Sequence, residues 1–169
     1  MAWTNADGLR ITFGAERAEP HNGGAISTMG AQKLIEATIA DLSELADTPE
    51  IVGREDGGAS YGVFVPKGAV IEKVEIFTSV AADSAGDAGV LDLGFVRTDL
   101  AATEIDYDGI AANLPQANME AGETHTITLG ATGAGALIGT ALAHNGLLVA
   151  SYDAAAFSAG AIKIRIFYT

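Results

Sequence analysis

His21, His125 and His144 are the three side chains in this sequence that can serve as bases near neutral pH, so any triad-type catalysis has to be built on one of them. None has a supporting context. His21 lies in a Gly-rich stretch, His125 opens an alternating segment, and His144 sits in the turn-like Ala143-His144-Asn145-Gly146. No serine occupies a G-x-S-x-G elbow, and the absence of cysteine removes thiol nucleophiles, thiolate metal sites and disulfides together. Each histidine is therefore expected to be a surface or turn residue, and the chain is expected to have no catalytic residues, no cofactor and no metal.

The acidic group Glu104-Ile105-Asp106-Tyr107-Asp108-Gly109 places oxygen ligands at alternate positions before a glycine, as the start of a calcium loop does. The position that should supply the bidentate glutamate is Pro115, which excludes an EF-hand and leaves a solvated acidic loop. Read as glycosidase acid and base, the same carboxylates lack flanking aromatic platforms, Trp3 being the single tryptophan. Gly130-Ala131-Thr132-Gly133-Ala134-Gly135 follows a strand-like segment, where a phosphate cradle would begin. It lacks the Lys-Ser/Thr of a P-loop and has Ile138 where a dinucleotide motif needs a third small residue, so a flexible loop is expected.

Charge narrows the partners. Nine Lys and Arg against 22 Asp and Glu give a formal charge of -13 over 169 residues, a field that repels nucleic acid and anionic membrane surfaces. The opening MAWTNADGLR is polar and acidic, unlike a secretory leader. Thr124 to Tyr152 carries no Lys, Arg, Asp or Glu and contains a Gly135-x-x-x-Gly139 spacing, but glycines and two histidines interrupt it, so strands and loops are expected there rather than a membrane span.

The elements that must carry these residues read as strands. Val70, Val74, Ile76 and Val80 share one parity, Leu91, Leu93 and Phe95 another, and Ile162, Ile164 and Ile166 a third. Shorter segments of the same kind are Leu9 to Phe13, Tyr61 to Val65, His125 to Leu129 and Leu147 to Tyr152, which makes seven strands. Gln32 to Ala46 is ambiguous: Ile35, Ile39, Leu42 and Leu45 keep helical spacing, while Ile35, Ala37 and Ile39 also alternate.

Val65-Pro66-Lys67-Gly68 reads as a type I turn joining an antiparallel pair, and Ala81 to Gly89 as a loop between neighbours of one sheet. Thr98 to Glu123 reads as a long insertion with one helical turn around Asp108 to Leu114. Ala154 to Ala161 reads as an Ala-rich turn. Residues 14 to 31 hold no period and read as an arm that an assembly partner orders.

The opening Ala2-Trp3-Thr4-Asn5-Ala6-Asp7-Gly8-Leu9, then Phe13-Gly14, the central Val63-Phe64-Val65-Pro66-Lys67-Gly68-Ala69-Val70-Ile71-Glu72-Lys73-Val74, the acidic Glu104 to Gly109 and the closing strand resemble small tailed-phage virion proteins encoded beside the major capsid protein. The resemblance, to capsid decoration or cement proteins, spans nearly the whole chain. It implies a strand at Leu34 to Asp41, the eighth, and with it an all-β fold: a jelly-roll-like antiparallel β-sandwich (residues 31-169) behind an extended N-terminal arm (residues 1-30).

It also implies a structural role on the outer surface of the capsid, with the major capsid protein as partner and a homo-oligomer, a trimer, as the working form. The partner-contact candidates are Trp3 as an apolar anchor, Leu9, Phe13 and His21 on the arm, and Glu104, Asp106 and Asp108 in the acidic loop. The alternative is a recognition module, a head-fibre base or glycan-binding sandwich, that uses the Thr98 to Glu123 loop as its contact surface.

Overall fold

The structure is a computed structural model, and it describes residues 10–12, 25–29, 32–53, 62–98 and 104–169. Among these are eleven strands: β1 (Arg10–Thr12), β2 (Ala25–Met29), β3 (Gln32–Ile39), β4 (Glu50–Ile51), β5 (Phe64–Val65), β6 (Ile71–Ser84), β7 (Val90–Arg97), β8 (Glu104–Pro115), β9 (Thr124–Thr128), β10 (Gly146–Asp153) and β11 (Phe157–Tyr168). They form two sheets. The first runs β1-β2-β3-β11-β6-β9 and the second β4-β10-β7-β8, with β5 also paired to β10, and every strand pair is antiparallel.

Setting aside β1, β2 and β5, the remaining eight strands in chain order lie 1-8-3-6 in one sheet and 2-7-4-5 in the other, which is the jelly-roll arrangement of two interleaved Greek keys. The all-β sandwich expected from the sequence is what the structure shows. Its core follows from strand parity. Ile35, Ala37 and Ile39 of β3, Ile162, Ile164 and Ile166 of β11, and Val74 and Ile76 of β6 turn inward, meeting Leu91, Leu93 and Phe95 of β7, Ile110 and Leu114 of β8 and Leu148 and Ala150 of β10.

Several local expectations are overturned. Gln32–Ile39 is the strand that the resemblance implied, and the helical spacing beyond it comes from a single 3-10 turn, Leu42–Glu44, which carries Leu42 into the core with no exposure. Asp41 caps that turn, its carboxylate accepting from the Ser43 backbone N–H at 2.9 Å and the Ser43 hydroxyl at 2.7 Å; these bonds hold the Asp41 carboxyl below its ordinary value.

The turn after β5 is Pro66-Lys67-Gly68-Ala69, closed by Ala69 N–H to Pro66 C=O at 3.2 Å, with Gly68 at φ +86° in the third position, the value a type II turn requires. It does not close a hairpin. β5 pairs with β10 in the second sheet while β6 belongs to the first, and the Ala81 to Gly89 stretch likewise joins β6 to a β7 in the other sheet. The jelly roll sends β5 and β6, and again β6 and β7, to opposite sheets, which turn chemistry alone does not reveal. β6 also runs on to Ser84, so Ala81 to Ser84 is strand rather than loop, and β11 begins at Phe157, inside the expected Ala-rich turn.

The largest correction concerns Thr98 to Glu123. Glu104–Pro115 of this stretch is strand β8, with no helical turn at Asp108 to Leu114, so the contact loop of the alternative reading is a structural strand. Strands β2 and β4 were not expected either. β2 pairs with β3 and β1 with β2, so these parts of the N-terminal segment extend the first sheet. Trp3, Leu9, Phe13 and His21 lie outside the described residues.

Candidate docking faces

The outward side of the first sheet is set by the residues that alternate with its core. On β11 these are Lys163, Arg165 and Phe167, and across the ladder lie Lys73, Glu75 and Phe77 of β6 and Glu36 of β3. Arg165 Nε donates to Glu36 Oε1 at 2.8 Å, Arg165 Nη1 stands 4.0 Å from Glu75 Oε2, and Lys73 Nζ is 2.8 Å from Glu75 Oε1. Lys73 Nζ also sits 4.1 Å from the centre of the Phe167 ring. Half-exposed pairs of this kind are worth at most about 1 kcal/mol each, so their consequence is to fix side-chain positions and to balance charge on this face. Phe77 and Val80 of β6 stand exposed nearby, at 37% and 52%.

The second sheet presents the opposite character. Asp92 of β7 pairs with Ser151 of β10, and both side chains point away from the core on the parity opposite to Leu91, Leu93, Leu148 and Ala150. Beside β7 lies the edge strand β8, and β8 is bulged. Between the pairs Leu93–Ala111 and Phe95–Asp106, β7 advances by two residues and β8 by five, a surplus of three. The surplus carries the backbone of Asp106 and Tyr107 across Gly94, so closely that a Cβ on Gly94 would stand 2.0 Å from the Asp106 carbonyl oxygen. A second, one-residue surplus lies between Leu91–Leu114 and Leu93–Ala111; there Asn113 adopts φ +53° and its backbone N–H donates to Asp92 Oδ1 at 2.6 Å.

The Gly130 to Gly135 loop, expected to be flexible, is tied down. Ala112 N–H to Gly133 C=O, Gly135 N–H to Ile110 C=O and Leu137 N–H to Gly109 C=O, at 2.9, 3.2 and 2.8 Å, bind it along β8, and a Cβ on Gly135 would meet the Asp108 carbonyl oxygen at 2.1 Å. From there the segment crosses to the start of β6, where Gly139 N–H reaches Ile71 C=O at 2.7 Å. Gly133 and Gly135 serve close backbone approach of this loop to β8.

Beside the bulge, an open hollow of about 600 Å3 lies on the second sheet, lined by Asp47, Asp92, Asp153, Tyr107, Tyr152 and Ser151 among others. Burial pushes the Asp92 carboxyl up from its ordinary value; the Asn113 N–H opposes this, and the charges of Asp108 and Asp153 reinforce it.

Of the expected contact residues, the structure places Glu104, Asp106 and Asp108 on β8, with Glu104 opposite Val96 and Asp106 opposite Phe95. Asp108 is exposed and close enough to Asp92 for their charges to interact. The other acids of the hollow, Asp47, Asp92 and Asp153, come from separate segments. The one sequence signal for Asp92 and Asp153 was polarity at outward strand positions, and Asp47, before β4, had none.

His125 is a further correction. It is half-buried on β9 opposite Ile76 of the core, and its Nε2 is buried without a hydrogen-bond partner among the described residues, while His144 is exposed in the loop before β10. Among the described residues, no three His, Asp or Glu side chains are grouped so as to hold a metal ion, and no helix is long and apolar enough to cross a membrane.

Comparison with known proteins adds little. No protein-family model matches the chain, and no curated protein matches it. Among solved structures, it is similar to a chain in the acidic stable capsid structure of Helicobacter pylori bacteriophage KHP30, at 14% identity over 83% of this chain and 89% of that one, with a TM-score of 0.45.

Proposed function

We propose that this chain is a structural protein of a phage head, which binds the outer surface of the major capsid protein lattice and stabilises it as a homo-oligomer, a trimer by its sequence resemblance. The observation that carries this reading is the contrast between the two outer faces of the sandwich. The first sheet presents Lys73, Lys163 and Arg165, largely balanced by Glu36 and Glu75, beside the exposed apolar Phe77 and Val80. The second presents Asp92, Asp108 and Asp153 around a hollow. In a chain of charge -13, a charge-balanced face with apolar side chains is where like subunits can approach, and an acidic face is where a basic surface docks.

Cosedimentation of the purified protein with phage heads stripped of accessory proteins tests the reading. Saturable binding at a fixed number of copies per capsid protein is the expected result. No pelleting with heads at micromolar protein, at either low or moderate salt, overturns it.

A further inference from the structure

An open sheet edge pairs with any strand that reaches it, so folds ordinarily guard their edges with charge, proline, bulges or brevity. Among the described residues, three of the four edge strands are guarded. β8 shifts register three times against β7, carries Glu104, Asp106 and Asp108, and is bonded along its length to the segment from Gly133 to Leu137. β4 has two residues and β1 three. β9 has no such guard. Thr124-His125-Thr126-Ile127-Thr128 runs against β6 in unbroken register, without proline, glycine, Lys, Arg, Asp or Glu, and four of its five residues are β-branched. Thr78 N–H donates to the Glu123 C=O at 2.9 Å, which sets the phase of the ladder: His125 and Ile127 turn their backbone groups toward β6, and Thr124, Thr126 and Thr128 turn theirs to the outer edge. The side chains of these three threonines are exposed, and among the described residues only β6 pairs with β9.

We propose that this edge pairs with β9 of a second copy of the chain, antiparallel about a two-fold axis at Thr126. The strand is self-complementary in that register. Thr126 meets Thr126 of the second copy and Thr124 meets Thr128, so every outward backbone group faces one of its own kind and the cross-strand pairs are Thr–Thr. Charge permits the approach in a chain of charge -13, because the nearest acid in line, Glu75 opposite Thr126, stands three strand spacings from its mate, about 14 Å, beyond the ~8 Å Debye length at physiological ionic strength. Leu129, 74% exposed just past the end of β9, is carried alongside the second copy's strand. Five residues of edge bury far less than the ~1,200 Å2 of a standard interface, so the contact is weak in dilute solution and forms where copies are crowded. It does not use the acidic second sheet, and it goes beyond the head-binding reading without resting on it.

The chain has no cysteine, so an introduced thiol can be oxidised only onto another copy. The hydrogen-bonded pair at the axis holds its Cα atoms about 5.5 Å apart, within the roughly 4.4–6.8 Å that a disulfide spans. Thr126→Cys at about 0.5 mM in a glutathione redox buffer should therefore give a covalent dimer on non-reducing gels. Thr124→Cys lies about 14 Å from its own mate in this register, so it and Thr128→Cys should each dimerise at least tenfold more slowly alone, and an equal mixture of the two should restore the rate. Hydrogen exchange of the cysteine-free parent gives an independent reading: the Thr124 and Thr126 amides should become protected as the protein is raised from about 0.05 to 1 mM, and Thr126→Lys, which sets like charges opposite each other, should weaken that dependence about tenfold.

Thr126→Cys that oxidises no faster than Thr124→Cys, or amides whose exchange does not change with concentration, overturns the proposal. Protection of these amides that appears only when stripped heads are added gives the edge to a strand of the capsid protein and overturns it as well. Both solution experiments are done without heads, so a parent that dimerises through Thr126 but does not bind stripped heads sustains the edge contact while overturning the head-binding role.

Discussion

Replacing Gly94 by alanine tests the packing that builds the hollow. A Cβ at this position would lie 2.0 Å from the Asp106 carbonyl oxygen and 2.3 Å from the Tyr107 carbonyl carbon, and both obstacles are backbone. Since Cβ contacts below 3.0 Å do not occur, β8 must withdraw from β7 by at least 1.0 Å, the difference between 3.0 and 2.0. A ladder hydrogen bond of about 2.9 Å stretched by that amount leaves the bonding range.

Two such bonds beside the bulge, at about 1 kcal/mol each, with overpacking strain of about 1–3 kcal/mol, give an expected loss of about 3–5 kcal/mol. Urea unfolding with a slope of about 2 kcal/mol/M would then show a midpoint lower by roughly 1.5–2.5 M. Gly68→Ala is the control, because Gly68 has φ +86° but nothing within 4 Å of the added carbon, so only about 1 kcal/mol of backbone strain is expected. A Gly94→Ala loss no larger than that of Gly68→Ala would refute the close approach of β8 over β7, and with it the geometry of the hollow.

Two further outcomes are expected. Thr78 is fully buried on β6 and its hydroxyl has no hydrogen-bond partner among the described residues, so Thr78→Val should stabilise by about 1 kcal/mol; a lower unfolding temperature would show that the hydroxyl is satisfied in solution. For Asp92, burial raises the carboxyl pKa in the folded state, so the folded protein holds that proton more tightly than the unfolded chain, and the stabilisation it brings is present at low pH and lost as pH rises through the folded value. Asp92→Asn should therefore melt above the parent at pH 7, with the gap closing as pH falls through the carboxylate range. A gap that stays constant down to pH 3 would contradict that assignment in a scanning calorimeter.

The parts of the fold legible in the sequence are those where pairing is regular. Ile162, Ile164 and Ile166 sit opposite Ile39, Ala37 and Ile35 across β3, and the central part of β6 continues the ladder, so the period of two survives in the chain. β8 was illegible for the converse reason. Its register against β7 shifts three times, so that Asp106, Ala111 and Leu114, which do not share one parity, pair with Phe95, Leu93 and Leu91, and such a strand has no period to read.

Sheet membership was hidden as well, because Pro66 and Gly68 specify a reversal of direction and say nothing of which layer receives the next strand. The acids of Glu104 to Asp108 were visible as a group. That Asp92 and Asp153 join Asp108 depends on the order β10-β7-β8, which no local pattern encodes.

The position of β11 has a consequence in time. It is the last strand in chain order, yet it lies between β3 and β6 in the middle of the first sheet. While a ribosome is still making the chain, β3 and β6 each present an unpaired edge to the gap that β11 will fill, and the inward isoleucines of both remain wet. Folding must then wait until β11 has been made and proceed through contacts far apart in sequence, which is slow, and a nascent chain held with two open edges invites pairing with its neighbours on the same message. Nonsense mutations upstream of Phe157 should thus yield aggregates rather than shortened soluble protein.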